Sequence, residues 1–280
     1  MTNVSAVVLA YNRPHNIDIL VDKLNKLKQI DEIFILYGHK DYKNNNIVDD
    51  KVIHVDNWEE NDNIYLMRRF NINNYSSVKN NCILMLDDDL CPSQKLLDDM
   101  IQSYNKNNKC LYGPQSRYCG HIYEDVDHLR YIYTILLIVS LITLTINICF
   151  LTYFPNIYTG VFFGISLISL IITVFLLLRV PNYNVIIPGL SITDKEVIQY
   201  TCTEMNKEEH KHIFDEVVKN KGNGEDLFFN FAYRKLYNKP VCIKGKYDDL
   251  DVSNGFSTTN SNDHMRFRTN FCKNFINPGL

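Results

Sequence analysis

The chain has 280 residues and a formal net charge of −3, and 46% of its residues are hydrophobic. This length allows one large domain or two small ones, and the weakly acidic balance with scattered Lys and Arg argues against a nucleic-acid-binding protein. The eight cysteines form no C-x-x-C pair and show no Cys/His spacing typical of zinc sites. We therefore expect reduced, independent thiols rather than a disulfide framework.

The first part of the chain alternates predicted strands and helices. The apolar run SAVVLA predicts a strand covered on both faces, and the segment YNRP then leads into a helix with apolar residues three and four apart. EIFILY and KVIHV predict two further strands, and a helical stretch is expected after Trp58. CILML predicts a fourth strand, and Pro92-Ser93 opens the next helix. This order predicts an α/β fold with an open, mostly parallel sheet.

Three consecutive acids, Asp87, Asp88 and Asp89, follow the fourth predicted strand directly. Ligands of open parallel sheets bind outside the carboxyl ends of the strands, where this aspartate triplet and the YNR segment are both expected. Three carboxylates so close together repel one another unless a cation lies between them. A hard divalent ion, Mg²⁺ or Mn²⁺, that completes its shell with substrate phosphates meets this requirement. The alternative is a solvated acidic turn that caps the helix at Ser93.

Residues 131–178 contain no charged side chain. Because a bilayer core needs about 20 apolar residues per helix, this run predicts two transmembrane helices with a break at Phe154-Pro155-Asn156. The alternative is a very hydrophobic hairpin buried in a soluble core, although soluble helices need a polar face. Arg130 and Arg179 flank the run, so the positive-inside rule predicts that both flanks face the cytosol. The expected domains are residues 1–130, the hairpin 131–178 and residues 179–280.

Four segments, VVLAYNRP, MRRF, ILMLDDDL and GEDLFFNF, occur in a fixed order along the polar part of the chain. This series resembles the GT-A glycosyltransferases, and most closely the exostosin type, glycosyltransferase family 64. The resemblance implies a retaining enzyme that uses UDP-sugars, often UDP-N-acetylhexosamines, with Mn²⁺ or Mg²⁺ as cofactor. The residues that it implies are, for the UDP-sugar, Tyr11, Asn12, Arg13, Asn63, Arg68, Arg69, Asp87 and Asp88; for the metal, Asp87 and Asp89; and for catalysis, Glu225, Asp226 and Arg268.

The resemblance also implies a role for each group. An ion on Asp89 would bridge the two phosphates as a Lewis acid, while Arg13 and Arg268 would donate charge-assisted hydrogen bonds to oxygen atoms. The other two acids of the triplet would hold the ribose hydroxyls or a metal-bound water. Asp226 would face the sugar and orient a hydroxyl or stabilise an oxocarbenium-like centre. The alternative for Asp226 is a helix cap, because the helix dipole favours an acid in the first turn.

Two features depart from the pattern of that family. A membrane hairpin interrupts the domain, and the cysteine that precedes the acidic helix in secretory members is replaced by Gly224. Because that cysteine pairs with a tail cysteine in those members, we expect Cys272 to be unpaired, in agreement with a reducing, cytosolic domain. The tail segment HMRFRTNFC contains His264, as the family pattern implies.

The remaining polar clusters receive plainer interpretations. His210 and His212 are expected on a solvated helix face, and the acidic segment YDDLD, residues 247–251, in a surface loop rather than a second metal site. Two hypotheses for function follow. The first is a membrane-anchored glycosyltransferase whose acceptor is a lipid, a glycan or a protein. The second is a catalytically inactive GT-A-like scaffold or binding protein in the membrane, which the presence of the aspartate triplet, Glu225-Asp226 and Arg13 disfavours.

Overall fold

The computed structural model describes residues 2–10, 13–38, 49–56, 65–119, 123–154, 157–178, 184–237, 239–250 and 262–276. They belong to two compact units. The first comprises Met1–Tyr123 and Asn184–Leu280, and the second comprises Glu124–Tyr183. The first unit is a mixed α/β structure, and the second is built from two long apolar helices.

The strands and helices of the described residues are numbered here in chain order through both units. The strands are β1 (Val4–Ala10), β2 (Ile30–Tyr37), β3 (Val52–Val55), β4 (Cys82–Asp87), β5 (Leu90–Pro92), β6 (Tyr112–Gly113), β7 (Ser116–Cys119), β8 (Tyr123–Glu124), β9 (Val185–Ile186), β10 (Leu190–Asp194), β11 (Val241–Cys242) and β12 (Tyr247–Asp249). The α-helices are α1 (Pro14–Asn25), α2 (Gln94–Lys106), α3 (Val126–Tyr153), α4 (Ile157–Leu178), α5 (Lys195–Met205), α6 (Lys211–Lys219), α7 (Glu225–Leu236) and α8 (Asn262–Phe271). A π-helical turn, Cys272–Ile276, follows α8.

The central sheet has seven described strands in the order β11-β6-β10-β4-β1-β2-β3. β1 lies between β2 and β4 and runs parallel to both, and the pairs β2–β3 and β6–β11 are also parallel. β10 runs antiparallel to its two neighbours, β4 and β6. The predicted α/β fold with a mostly parallel sheet is therefore confirmed. Two small sheets, β12-β5 and β8-β7-β9, complete the described strands.

The apolar patterns of the sequence match the packing of these elements. β1 is buried at every position and β4 at all but its last, as expected for strands covered on both faces. α1 has Pro14 in its first turn, where a missing N–H costs nothing, and it buries Ile17, Leu20 and Leu24. α2 is capped by Ser93, whose Oγ accepts a hydrogen bond of 3.2 Å from the Leu96 N–H. This serine cap means that the aspartate triplet is not needed to begin α2.

The connection between β3 and β4 is partly helical. Trp58 lies outside the described residues, and the described part of this connection contains two 3₁₀ helices, Tyr65–Phe70 and Ile72–Tyr75. The Asn71 side chain begins the second of these by accepting a 3.0 Å hydrogen bond from the Asn73 N–H. These short helices carry the MRRF segment along the edge of the sheet at which β1 and β4 end.

The second unit consists of α3 and α4. Its candidate membrane spans, His128–Tyr153 and Tyr158–Leu178, have mean hydropathies of 2.5 and 2.8, and by length and composition both can cross a membrane. At 1.5 Å per residue, 22 residues extend about 33 Å, close to the thickness of a bilayer core. Polar side chains join the two helices: Asn147 Nδ2 donates to Ser166 Oγ at 2.6 Å, and the hydroxyls of Ser140 and Ser169 are 3.4 Å apart. Such contacts are typical of helix pairs in membranes.

The cysteines differ from the expectation of independent thiols. Cys119 and Cys272 form a disulfide that joins residues 153 positions apart. The prediction was therefore wrong for this pair, and so was the prediction that Cys272 lacks a partner. The error arose because only the folded chain brings the end of β7 next to the tail. The remaining six cysteines form no disulfide among the described residues.

Candidate active site

The aspartate triplet lies at the carboxyl edge of the sheet, beside the end of β1. β1 and β4 are parallel, with Leu9 opposite Asp87, so the residues that follow the two strands emerge side by side. Arg13 immediately precedes α1, and its position there brings the guanidinium to the triplet. Tyr11, Asn12 and Asn63, which the resemblance implies for the nucleotide, lie outside the described residues.

Arg13 supplies a positive charge to the triplet. Its Nη1 lies 3.0 Å from Asp88 Oδ1 and 3.1 Å from Asp89 Oδ2. Burial, together with the charges of the neighbouring acids, raises the pKa of Asp89 to about 7, although the Arg13 charge opposes this shift. The Arg13 charge therefore does not offset the burial and the negative neighbours of Asp89.

The two arginines of the MRRF segment have different surroundings. Arg68 is fully buried and donates hydrogen bonds to the backbone carbonyls of Tyr37 and Val55, the last residues of β2 and β3. These contacts hold strand ends together, which is a structural role. Arg69, itself buried, forms an ion pair with Asp87 instead, whose side chain is 37% exposed, and the Arg69 charge also acts on Glu225. Of the two arginines, Arg69 is the one that contacts the acidic site.

Asp87 also depends on a glycine that the sequence patterns did not indicate. The Asp87 N–H donates a 2.7 Å hydrogen bond to the Gly189 carbonyl, in the turn before β10. A methyl group on Gly189 would lie 2.1 Å from Asp87 Oδ2, well inside van der Waals contact. Because no side chain fits between the turn and the carboxylate, the glycine allows Asp87 to occupy this position.

We expect the substitution Gly189→Ala to push the Asp87 carboxylate away from Arg69 and to weaken binding of UDP with Mn²⁺ by about tenfold or more, as loss of a supporting contact around a metal ligand commonly does. Calorimetric titration of UDP in the presence of Mn²⁺ measures this effect. Gly160→Ala is the matched control, because a methyl group there meets nothing within 4 Å. Unchanged affinity in Gly189→Ala would remove Gly189 from the site.

The acidic helix α7 begins directly after a turn with two glycines in left-handed conformation. Gly222 has φ +82° and Gly224 has φ +94°, which side chains rarely adopt. A methyl group on Gly222 would lie 2.8 Å from the Leu66 N atom, so the turn packs directly against the 3₁₀ helix that carries Arg69. This close approach connects the acidic helix to the aspartate triplet through Arg69.

Asp226 forms a buried ion pair with the tail helix. Arg268 Nη1 lies 2.6 Å from Asp226 Oδ2, and both side chains are almost inaccessible to solvent. The other carboxylate oxygen, Oδ1, is buried and has no hydrogen-bond partner among the described residues. The helix N-cap is Gly224, so Asp226 lies inside the first turn and its carboxylate bonds to an arginine rather than acting as a cap.

Asn230 fixes this end of α7 against the sheet region. Its side chain accepts a 3.1 Å hydrogen bond from the Ile186 N–H and donates one of 2.7 Å to the Ile186 carbonyl. It also donates a 2.8 Å bond to the Asp226 carbonyl, one helical turn earlier. A fully buried amide with three such bonds locks the position of Asp226 relative to β9.

Glu225 and Asp226 are adjacent acids with different surroundings. Burial, with the negative charge of Asp226 adding to it, raises the pKa of Glu225 to about 8, against the opposing charges of Arg268 and Arg69. Glu225 is therefore mainly protonated at neutral pH, while Asp226 has a direct cationic partner. Two adjacent acids with such different partners are a common arrangement at catalytic centres.

The raised pKa of Glu225 predicts how stability changes with pH. Its contribution is fully present below the ordinary pKa near 4.5 and is lost as pH rises to about 8, because in this range the unfolded state gives up the proton while the folded state keeps it. We expect the melting temperature to fall between about pH 5 and pH 8, and Glu225→Gln to make this fall smaller. Thermal unfolding across that range measures both slopes. Glu208→Gln, at an exposed side chain, is the control; equal slopes in the Glu225 variant and wild type would refute the assignment.

His264 lies near the same ion pair. Burial, helped by the charge of Arg268, lowers the pKa of His264 to about 4, while Asp226 opposes the shift. The imidazole is therefore neutral at physiological pH and offers a polar group that adds no charge beside Arg268. Arg268 additionally donates from Nε to Asn223 Oδ1 at 3.3 Å.

The acidic segment near residue 247 is a strand rather than the expected loop. β12 pairs antiparallel with β5, directly after the triplet, and the Leu250 N–H donates a 2.6 Å hydrogen bond to the Asp89 carbonyl. Asp249 contributes to the raised pKa of Asp89, so it belongs to the electrostatic surroundings of the triplet. The sequence YDDLD did not predict this strand, because its pairing with β5 is a long-range contact.

A second cluster, Glu204, Glu209 and His210, has potential ligand atoms within 4.8 Å of one another. His210 is buried, contrary to the expected solvated face, whereas His212 is exposed. Lys235 Nζ lies 2.8 Å from His210 Nε2 and 3.3 Å from Glu209 Oε1, and Lys207 Nζ lies 2.6 Å from Glu204 Oε2. Two ammonium groups already balance the acids, so this cluster is an ion-pair network. Lys235 is in the last turn of α7, at the end opposite Asp226.

The comparison with protein families gives the class of the protein. The model of the glycosyl transferase family 64 domain matches residues 4–278. The protein is a glycosyltransferase. The chain belongs to glycosyl transferase family 64, since the match covers nearly its whole length. The search among curated proteins finds no match.

Proposed function

We propose that the protein is a membrane-anchored glycosyltransferase of the exostosin type. It transfers a sugar, an N-acetylhexosamine, from a UDP-sugar to a lipid, glycan or protein acceptor with retention of configuration. The observation that carries the proposal is the meeting of the aspartate triplet with α7: Asp87 pairs with Arg69, and the Arg69 charge acts on Glu225, next to Asp226. A nucleotide-binding edge and a sugar-facing acid are thus parts of one site.

The triplet fits a divalent ion. Its carboxylate oxygens are the donors that Mg²⁺ and Mn²⁺ prefer, and burial, together with the charges of Asp87, Asp88 and Asp249, raises the pKa of Asp89 to about 7. Asp89 and Asp87 would hold the ion, with Asp88 beside them. When bound, Mn²⁺ or Mg²⁺ would act as a Lewis acid toward the diphosphate of the donor. Arg13 is positioned to donate charge-assisted hydrogen bonds at this end of the site.

Asp226 and Arg268 would act at the sugar end of the donor. The free Oδ1 of Asp226 is a buried acceptor that a sugar hydroxyl can satisfy, or that can stabilise positive charge developing at the anomeric carbon. Arg268 holds the carboxylate through Oδ2. The Arg268 guanidinium would also approach oxygens of the donor, since guanidinium suits bidentate recognition of such groups. Glu225, mainly protonated, would donate a hydrogen bond rather than add negative charge.

The domain organisation follows from the insertion of the hairpin. Residues 1–130 and 179–280 would form one transferase domain, and the hairpin 131–178 would anchor it in the bilayer. An even number of spans places both polar segments on the same side of the membrane. Arg130 favours the cytosolic side, and Arg179, the other flanking charge, lies outside the described residues. The disulfide favours an oxidising side instead.

A donor screen tests this function. The full chain in detergent is incubated with a series of UDP-sugars and Mn²⁺, and the released UDP is measured. We expect slow UDP release by donor hydrolysis, fastest with UDP-N-acetylhexosamines and abolished by a chelator. Asp99→Asn, on the surface of α2, controls for general effects of losing an acid. Metal-dependent binding of UDP without release from any donor would instead support the inactive scaffold, and the absence of both would overturn the proposal.

A further inference from the structure

The disulfide joins two parts of the transferase unit that the sequence places far apart. Cys119 is the last residue of β7, and Cys272 follows α8 directly. Both are fully buried. The crosslink therefore lies inside the packed unit and connects the place where the chain leaves for the hairpin with the tail helix.

Cys119 belongs to a firmly held part of the unit. β7 pairs antiparallel with β9, the strand on which the chain returns from the hairpin. The Asn184 side chain accepts a 2.8 Å hydrogen bond from the Cys119 N–H and donates one of 2.7 Å to the Cys119 carbonyl. Asn230 connects the same strand β9 to α7 through Ile186. Cys119 is thus held by the residue just before β9, and Asn230 joins Asp226 to β9 itself.

Cys272 directly follows α8, a short helix that needs contacts with the rest of the unit to be stable. α8 has only ten residues, and isolated helices below about 12 to 15 residues are marginal in water. It carries Arg268, which lies four positions before Cys272. Residues with this spacing lie on about the same face of a helix. Buried Phe271 packs next to this end of the helix. The disulfide therefore anchors the turn adjacent to the arginine that pairs with Asp226.

We propose that the Cys119–Cys272 disulfide positions Arg268 against Asp226, and that the transferase domain consequently works on the oxidising side of its membrane. The turnover part rests on the proposed function. Breaking the crosslink frees the end of α8, so the guanidinium no longer holds the carboxylate in one place. Since a disulfide persists only where thiols are not kept reduced, the need for this bond fixes the side of the membrane. The earlier expectation of a cytosolic domain is replaced by this orientation.

The first experiment measures the coupling of Asp226 and Arg268 and does not depend on turnover. Melting temperatures of Asp226→Asn, Arg268→Gln and the double variant are compared in the full chain in detergent. We expect strong non-additivity in the oxidised protein, because the two side chains are in contact. In a Cys272→Ala background the non-additivity should disappear. Persistence of the same coupling in that background would overturn the proposal, even if Cys272→Ala lowers the melting temperature.

The second experiment measures the effect of the disulfide on turnover. Cys119→Ala and Cys272→Ala should each lower kcat tenfold or more while the KM for the donor stays within twofold. Their double variant should be no worse, because both changes remove one bond. Cys242→Ala is the matched control, because this partly exposed thiol is not part of the disulfide. Lower thermal stability with unchanged kcat would make the disulfide a structural crosslink only.

The third experiment determines redox state and orientation in native membranes. Thiols are alkylated before lysis, and mass spectrometry identifies the crosslinked peptide containing Cys119 and Cys272. Protease added to sealed, cytosol-side-out vesicles should leave residues 1–123 and 184–280 intact until detergent is added. Free thiols at both positions, or cleavage in intact vesicles, would overturn the orientation. These two measurements stand even if no UDP-sugar is turned over, so failure of the proposed function is distinguished from failure of this inference.

Discussion

Replacing Asp226 with Asn should lower sugar transfer and donor hydrolysis by about a hundredfold or more, as loss of a single electrostatic stabiliser at a reacting centre commonly does. UDP affinity should remain within about twofold, because the proposed contacts of UDP are with Arg13 and the aspartate triplet. Asn keeps the shape of the side chain but removes the charge that faces the sugar. The comparison of kcat with UDP affinity, measured on the same preparation, separates these effects.

The structure adds a consequence for stability to this prediction. Asp226 pairs with Arg268 at 2.6 Å in a buried environment, and removing one partner of a buried pair commonly costs about 3–5 kcal/mol. Asp226→Asn should therefore melt at a lower temperature, and activity must be assayed well below that point. A solvated helix cap would behave differently, since Asn caps nearly as well as Asp.

Two controls make the Asp226 result specific. Asp215→Asn removes an exposed acid from α6 and should change neither turnover nor stability. Asp226→Glu restores the charge with a longer side chain. If its turnover is higher than that of Asp226→Asn, the carboxylate charge contributes to catalysis. Turnover of Asp226→Asn within about threefold of wild type would exclude a catalytic role and weaken the exostosin-like mechanism.

Replacing Asp89 with Asn should abolish the dependence of UDP binding on Mn²⁺. The carboxylate is the proposed metal ligand, and a neutral amide is a far weaker ligand for a hard divalent ion. The variant should fold normally and melt no lower than wild type without metal, because it removes a carboxyl group whose pKa burial and neighbouring acids raise to about 7. Arg13 keeps its 3.0 Å contact with Asp88 in this variant.

The measurement is a titration of UDP with and without Mn²⁺, monitored by calorimetry and by the shift in melting temperature. Asp99→Asn serves again as the control acid, because it lies on a helix and outside the triplet. If Asp89→Asn binds UDP with Mn²⁺ as tightly as wild type, the metal is held elsewhere. The next cluster to mutate would then be the ion-pair network of Glu204, Glu209 and His210.

The sequence by itself determined the features that depend on local patterns. Buried parallel strands must be continuously apolar, so β1, β2 and β4 could be predicted from VVLA, IFIL and CILML. The run of 48 uncharged residues likewise required two helices with no polar face, which the hairpin has. The placement of Arg13 beside the triplet followed from strand polarity, because residues after neighbouring parallel strands share one edge.

The tertiary structure decided the features that depend on contacts between distant residues. Arg68 and Arg69 are adjacent in sequence, yet one bonds strand-end carbonyls and the other pairs with Asp87, since their directions depend on the 3₁₀ helix around them. Gly189 was missed because its importance lies in a contact with a strand about a hundred residues earlier. The Cys119–Cys272 bond and the pairing of Asp226 with Arg268 were likewise beyond sequence patterns. Spacing along the chain reports helix and strand periodicity, whereas these partners are brought together only by the packing of α7 and α8 against the sheet region.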